Sequence, residues 1–358
     1  MANPVSLSRR TLFKCALAAA ASSVGSTSSL KWMDRSAQGF PLWRLTGLAE
    51  AGMPTAATPT VPPSVPASSV RRSNFHIVYD DVRARDRFFL FLQNVYHLYP
   101  ESRFHQLIID TTKEFQTDQE IYAKLQERLA GIKPFLSEAT YGLPALKKQK
   151  AEMARQTAEL LGSSTKLSGY VEIGTTGRYA NGIRRLIPID GPLYIVNDLE
   201  PGFSPNDIVE RGQIAKIGDY VPMGNYEPFD GTGIPPESVE LVTNFIGFHH
   251  APPEKRARFI QAVWKVLKPG GRLVVRDHDV DAPEMDGFVA LAHDVFNAGL
   301  NLTWADNAAQ VRNFTSVPQL EEALGAAGFD KSKDRLLQAH DPTRNTLMVF
   351  VKPAVRQL

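Results

Sequence analysis

An α/β fold with a mostly parallel sheet, preceded by a helical N-terminal extension, is what the sequence predicts, and three observations predict it. Before Leu161, apolar residues recur at three- and four-residue steps, the spacing of buried helix faces. After Lys166, short β-branched and aliphatic runs alternate with helical stretches, the texture of βαβ units around a parallel sheet. The last two apolar runs are joined by Asp341-Pro342-Thr343-Arg344 alone, too short for a crossover, so they should pair as an antiparallel hairpin.

The N-terminal part falls into three stretches. Ser8-Arg9-Arg10-Thr11-Leu12-Phe13-Lys14, followed by a short alanine-rich apolar stretch, resembles a twin-arginine (Tat) export signal, with Leu and Phe in reversed order. Residues 1–21 are read as that signal. It implies export to a periplasmic or membrane-tethered location, with membrane contact through this segment only; unused, it leaves the chain cytoplasmic. Residues 22–73 are rich in Pro, Ala, Ser and Thr, with Pro54, Pro59, Pro62, Pro63 and Pro66 close together, and have the composition of a linker. A helical extension or lid is expected over 74–165. Phe88, Phe91, Leu92, Val95 and Tyr99 recur at helical steps, as do Ile121, Leu125 and Leu129, and Pro100, Pro134 and Pro144 divide the helices.

Residues 166–358 should form the sheet domain. Strands are expected at 169–173, 193–197, 213–217, 239–244 and 272–277, then near 335–340 and 345–352. Ser316 and Gln319 make a capping box for a helix from Pro318 to Ala327, which Gly328 ends.

Bulk composition narrows the function. The 358 residues are 43% hydrophobic and 22% charged, with a formal charge of +2, so neither nucleic acid nor an anionic membrane surface is an expected partner. The single cysteine, Cys15, lies in the signal segment, so the mature chain has no thiolate for a disulfide or metal site.

Four segments carry the chemistry. Tyr170-Val171-Glu172-Ile173-Gly174-Thr175-Thr176-Gly177 is a strand entering a turn whose glycines permit close backbone approach. Leu193 to Asp198 is a second strand with an acid at its carboxyl end, suited to two ribose hydroxyls. Gly218-Asp219-Tyr220 follows the third expected strand. Pro236 to Asn244 leads to Phe248-His249-His250, then to an amphipathic helix starting at Pro252-Pro253 and stopping at Lys268-Pro269-Gly270-Gly271.

In this order, over roughly Leu167 to Pro353, the segments resemble the class I S-adenosylmethionine (SAM)-dependent methyltransferases. The resemblance implies a Rossmann-like methyltransferase sheet and SAM as cofactor. It implies that Glu172, Gly174, Thr175, Gly177, Asp198, Asp219 and Tyr220 bind SAM, with Asn244 and Phe245 bordering it. The turn departs from the family's glycine-richer motif at Thr175 and Thr176. A small-molecule acceptor is expected, with the insertion from Ala282 to Thr315 (Phe288, Leu291, Val295, Phe296, Trp304) as its cover.

His249, His250, Asp277 and His278 are the candidate catalytic residues, because open α/β sheets bind ligands at the carboxyl edge and a hydroxyl acceptor benefits from a base there. Strand alternation places Asp277 and Asp279 on one side and His278 on the other. No metal is expected, since no spacing such as H-x-x-x-H occurs. The competing reading is an exported methyltransferase-like scaffold without catalysis. An NAD-dependent oxidoreductase fits less well, because it should lack the closing hairpin.

Overall fold

The computed structural model describes residues 72–134, 138–162, 166–229 and 233–354. The expected signal segment, and all of the expected linker but Arg72 and Ser73, lie outside the described residues. Among the described residues, no helix is long and apolar enough to cross a membrane.

The first helices begin where short polar side chains satisfy free backbone N–H groups. Ser73 caps α1 (Asn74–Tyr79), Asp81 caps α2 (Val82–Phe91), and Thr117 with Glu120 forms a capping box on α4 (Asp118–Leu129). Between them, α3 (Glu101–Glu114) starts directly after Pro100. Helix α5 (Leu143–Leu161) carries Pro144 in its first turn, where the missing N–H leaves no helical bond unmade.

Seven strands follow: β1 (Leu167–Ile173), β2 (Ile189–Asn197), β3 (Asp219–Pro222), β4 (Val239–Asn244), β5 (Leu267–His278), β6 (Asp330–Leu337) and β7 (Asn345–Val351). Their order is β3-β2-β1-β4-β5-β7-β6. The first five are parallel, and β7 runs antiparallel to both β5 and β6. The chain winds outward from β1 to β3 and returns to β4 beside β1, so the switch point lies between the carboxyl ends of β1 and β4.

Helices cover both faces. On one, Phe259 and Val263 of α8 (Pro253–Val266) and Leu320 and Leu324 of α11 (Val317–Ala326) pack with Val171, Val196, Val242 and Leu273. On the other, Met153 and Ala154 of α5 and Ile183 of α6 (Ala180–Leu186) pack with Tyr170, Leu241, Val274 and Leu347. The capping box expected at Ser316 and Gln319 is formed.

One expected strand sits elsewhere, and the bounds of others differ. The third lies at 219–222, because 213–217 follows a short helix, α7 (Pro205–Arg211), that ends on Gly212 at φ 77°. The apolar alternation there misleads: Ile214 is 72% exposed. The buried Arg211 guanidinium instead fixes this loop by donating to the carbonyls of Gly202, Ile214 and Ala215. Strand β6 begins at Asp330 rather than near 335. Strand β5 already begins at Leu267, and a register shift between its pairings with Val239 and Leu241 absorbs the Lys-Pro-Gly-Gly segment.

A third core joins the N-terminal helices to the segment after β5. Phe75, Phe88, Phe104, Ile121 and Leu125 pack with Phe288, Leu291 and Val295 of α9 (Pro283–Gly299). Polar bonds fix the seam. The buried Asp294 carboxylate accepts from Asn74 Nδ2 at 3.1 Å, Asn307 Nδ2 at 2.8 Å and Arg312 Nη1 at 2.7 Å. Asn307 belongs to the short α10 (Trp304–Ala308). Asp294→Ala strands the largely buried Arg312 charge and should lower the unfolding free energy by about 3–5 kcal/mol, read from urea denaturation.

Candidate active site

The β1 turn is held from behind. Glu172, the last acid of the strand, is buried and accepts from Tyr179 N–H at 3.1 Å, Tyr170 OH at 3.0 Å and the Thr175 hydroxyl. Burial pushes its carboxyl up despite these bonds. Thr175 Oγ1 in turn accepts from the N–H groups of Gly177 and Arg178. The structure therefore places Glu172 and Thr175 as the support of the turn, with their polar atoms committed to protein.

Gly174 and Gly177 have φ of 80° and 90°, conformations that glycine adopts without strain. A Cβ at Gly174 would meet the tip of Ile246, at 1.9 Å from Cδ1. Thr176 Oγ1, beside them, is buried and has no hydrogen-bond partner among the described residues. Next in the chain, the buried Arg178 pairs with Glu210 of α7 at 2.7 Å, an ion pair that the sequence pattern did not reveal.

At the tip of β2, half-buried Asp198 accepts the Asn225 N–H on Oδ1 at 3.1 Å, and its other oxygen has no partner among the described residues. Asn225 is a second contact missed in the sequence, since it follows β3 only once that strand is placed at 219–222. The same shift corrects the reading of Asp219. That residue opens β3 opposite Tyr194, is exposed, and lies at the strand end away from the carboxyl edge. Tyr220 does reach the edge, with its hydroxyl 3.2 Å from the Asp198 carbonyl.

Strand β4 ends on Asn244, fully buried, whose Nδ2 donates to the Gly247 carbonyl at 3.3 Å while Oδ1 has no partner among the described residues. Phe245 packs edge-on against Tyr179, 4.8 Å between centroids, and so closes the β1 turn from the β4 side.

Beyond it the chain turns back to β5. The Asp277 carboxylate accepts the Phe248 N–H at 2.7 Å on one oxygen and holds His249 Nδ1 at 2.5 Å on the other. Burial alone would raise this carboxyl, but the adjoining His249 imidazole and these bonds hold it below the ordinary carboxylate range. Asp279 lies past the strand end and accepts from Val317 N–H and Arg344, so its carboxylate takes no part in the Asp277–His249 contact. His278, expected to point away, ends β5 with its ring 5.4 Å from that of His249. At the last strand residue, alternation no longer dictates direction. Burial, reinforced by His249, lowers His278 to about 4.

The structure thus brings together His249, His250, Asp277 and His278, and adds His293 from α9. The His249 and His250 rings are 4.0 Å apart, and His293 stands 5.3 Å from each. Nothing in the local pattern announced His293, because only the packing of α9 delivers it. Phe314 closes the group, 5.2 Å from His249.

Comparison with known proteins gives one family match. A model described as a methyltransferase domain matches residues 219–275, from β3 through β4 and α8 into β5. No curated protein matches the chain. Among solved structures, it is similar to the 1,6-didemethyltoxoflavin-N1-methyltransferase of Burkholderia thailandensis, solved with 1,6-didemethyltoxoflavin and S-adenosylhomocysteine. That likeness has 17% identity and a TM-score of 0.38, over 58% of this chain and 79% of that one. The N-methyltransferase NodS of Bradyrhizobium japonicum, in complex with S-adenosylhomocysteine, shows 14% identity and a TM-score of 0.37, over 58% and 88%. The SAM-dependent methyltransferase SibL in its apo form shows 14% and 0.42, over 64% and 62%. Likeness of this degree leaves the chemistry to the chain's own residues.

Gly247 is the residue that lets the β4 loop reach Asp277. Its φ is 78°, and a Cβ there would stand 2.6 Å from His249 Nδ1 and 2.8 Å from the Asp277 carboxyl carbon. Gly247→Ala should therefore cost about 2–4 kcal/mol in chemical denaturation, combining left-handed strain with overpacking. The His249 Nδ1 proton resonance should shift with it; wild-type stability would refute this account of the loop.

Proposed function

We propose that the chain is a SAM-dependent methyltransferase acting on a small-molecule acceptor. The observation that carries this reading is the sheet: β7 inserts antiparallel between β5 and β6, and the turn after β1 faces the switch point. An acid stands on the neighbouring β2 tip. The closing hairpin argues against an NAD-binding sheet. The family match over 219–275 supports the same reading.

The residues at the edge fit the cofactor. Asp198 offers an uncommitted carboxylate oxygen for ribose hydroxyls. Thr176 Oγ1, in the turn after β1, and Asn244 Oδ1, at the end of β4, are buried polar atoms without partners among the described residues, and polar groups of a ligand would satisfy them. Ile246, half-buried above Gly174, must turn its terminal methyl aside, a rotamer change for a flexible tip. When bound, SAM supplies an electrophilic methyl group on a sulfonium. The protein's part is to hold donor and acceptor in line and to exclude water. In this reading the histidines beneath α9 line the acceptor side, and Glu172 acts as a positioning residue for the turn. The twin-arginine-like segment supports export of the folded chain, in which case cofactor must travel with it or be supplied.

Calorimetric titration of the full-length chain with S-adenosylhomocysteine tests the reading. Saturable binding is expected. Asp198→Ala should weaken it about ten- to hundredfold, the worth of a hydrogen bond to a charged group. Asp219→Ala should leave it within about twofold, since that residue sits at the wrong end of its strand. Absence of binding by the wild-type chain would overturn the proposal.

A further inference from the structure

We infer that His249, His250 and His293 form a binding site for a divalent zinc-type cation. Each of the three rings offers one nitrogen, and these atoms lie within 4.8 Å of one another. Zinc–nitrogen bonds of about 2.0–2.1 Å require tetrahedral N···N edges of about 3.4 Å, so modest ring rotations close the set.

Three further observations point to a metal rather than to ordinary packing. First, His249 Nε2 is buried in a side chain only 5% exposed and has no hydrogen-bond partner among the described residues. A buried polar atom left in that state is costly, and a cation beside it removes the cost. Second, the tautomers are set for ligation. His249 Nδ1 faces the Asp277 carboxylate and His250 Nδ1 faces the Val311 carbonyl at 3.0 Å. Both partners only accept, so each Nδ1 is the nitrogen that carries a proton, and in the neutral imidazole each Nε2 is then the one with the lone pair. A carboxylate behind a ligating imidazole also raises its basicity and fixes its orientation.

Third, the ligand set selects the cation. Asp277 is not available as a ligand, because its oxygens are taken by His249, the Phe248 N–H and the His278 N–H. Three neutral imidazoles and no oxygen donor disfavour magnesium and calcium and suit zinc, cobalt or nickel. Three protein ligands leave a fourth tetrahedral position open, which takes water or an anionic oxygen of a small molecule. His278, with its ring 5.4–5.5 Å from those of His249 and His293 and its Nδ1 on the Thr343 carbonyl, stands beside the triad rather than within it. The site stands independently of SAM binding.

The test uses the full-length chain, free of any histidine tag and stripped with a chelator. Cobalt(II) is titrated and followed by its visible ligand-field absorption, with zinc as competitor. One cobalt per chain, in a tetrahedral spectrum displaced by zinc, is expected. His293→Gln and His249→Gln should each weaken cobalt binding at least tenfold, and Asp277→Asn about ten- to hundredfold. His340→Gln, at an exposed position elsewhere, should change nothing. Where a variant folds poorly by circular dichroism, the thermal midpoint of the wild-type chain provides the second reading, and it should rise on adding zinc. Absence of stoichiometric cobalt binding, or equal binding by wild type and folded His293→Gln, would overturn the site. S-adenosylhomocysteine binding should survive in His293→Gln, which separates failure of this site from failure of the methyltransferase reading.

Discussion

The Asp277 carboxylate is the constraint on which the site is built. A carboxylate in a side chain only 4% exposed would be costly without compensation. Here it accepts from two backbone N–H groups, those of Phe248 and His278, and holds the His249 imidazole. One side chain therefore fixes the end of β5, the loop leaving β4, and the direction of the first imidazole. Gly247 is forced by the same pair, since a side chain there would occupy the space of His249 and Asp277. The loop's backbone and the site's chemistry have a common cause.

The second half of the site comes from the cap, the segment after β5 that carries α9 and α10. His293 is delivered by α9, and α9 is positioned by the N-terminal helices. Gly287 lies under Ile77 of α1, and Tyr99 donates to the Gly299 carbonyl at the other end of α9. Gly299 is as tightly constrained, because a Cβ there would strike the Tyr96 hydroxyl. Between these ends, Asp294, next to His293, gathers bonds from Asn74, Asn307 and Arg312. The N-terminal helices and the cap share one apolar core and one polar seam, so the position of an imidazole over the sheet edge depends on residues far away in sequence.

The sheet was legible because its signals are local. Alternation, the glycine turn after β1, the capping box at Ser316 and the short Asp341–Arg344 link each specify geometry within a few residues. The third strand was not legible. Gln213 to Ile217 alternates as a strand does, yet Arg211 ties its carbonyls into a loop, an arrangement that depends on where a helix ends. That displacement changes which residue can meet a ligand: Asp219 moves to the far end of its strand and Asn225 comes to Asp198. The histidines divide in the same way. His249, His250 and His278 adjoin strand ends and were visible, whereas His293 lies in a helix whose sequence reads as packing alone.

The glycine turn shows how a motif can be read correctly and still be ambiguous. Gly174 and Gly177 both adopt left-handed backbone, as a ligand-cradling turn requires. Yet protein atoms already press on both, Ile246 on Gly174 and Ile217 on Gly177. Close packing is therefore a sufficient reason for each glycine, and neither argues for a cofactor by itself. The polar atoms decide more. Glu172 and Thr175 spend their oxygens on the turn, which makes them its support, while Thr176 Oγ1 in the turn after β1, Asn244 Oδ1 at the end of β4 and one oxygen of Asp198 after β2 have no partner among the described residues. A fold that needed only to be stable would have little reason to leave the buried Thr176 and Asn244 oxygens unsatisfied beside the strand ends. The place of these two oxygens after the carboxyl end of β1 and at the end of β4, rather than the glycines, is the structural argument for a polar ligand there.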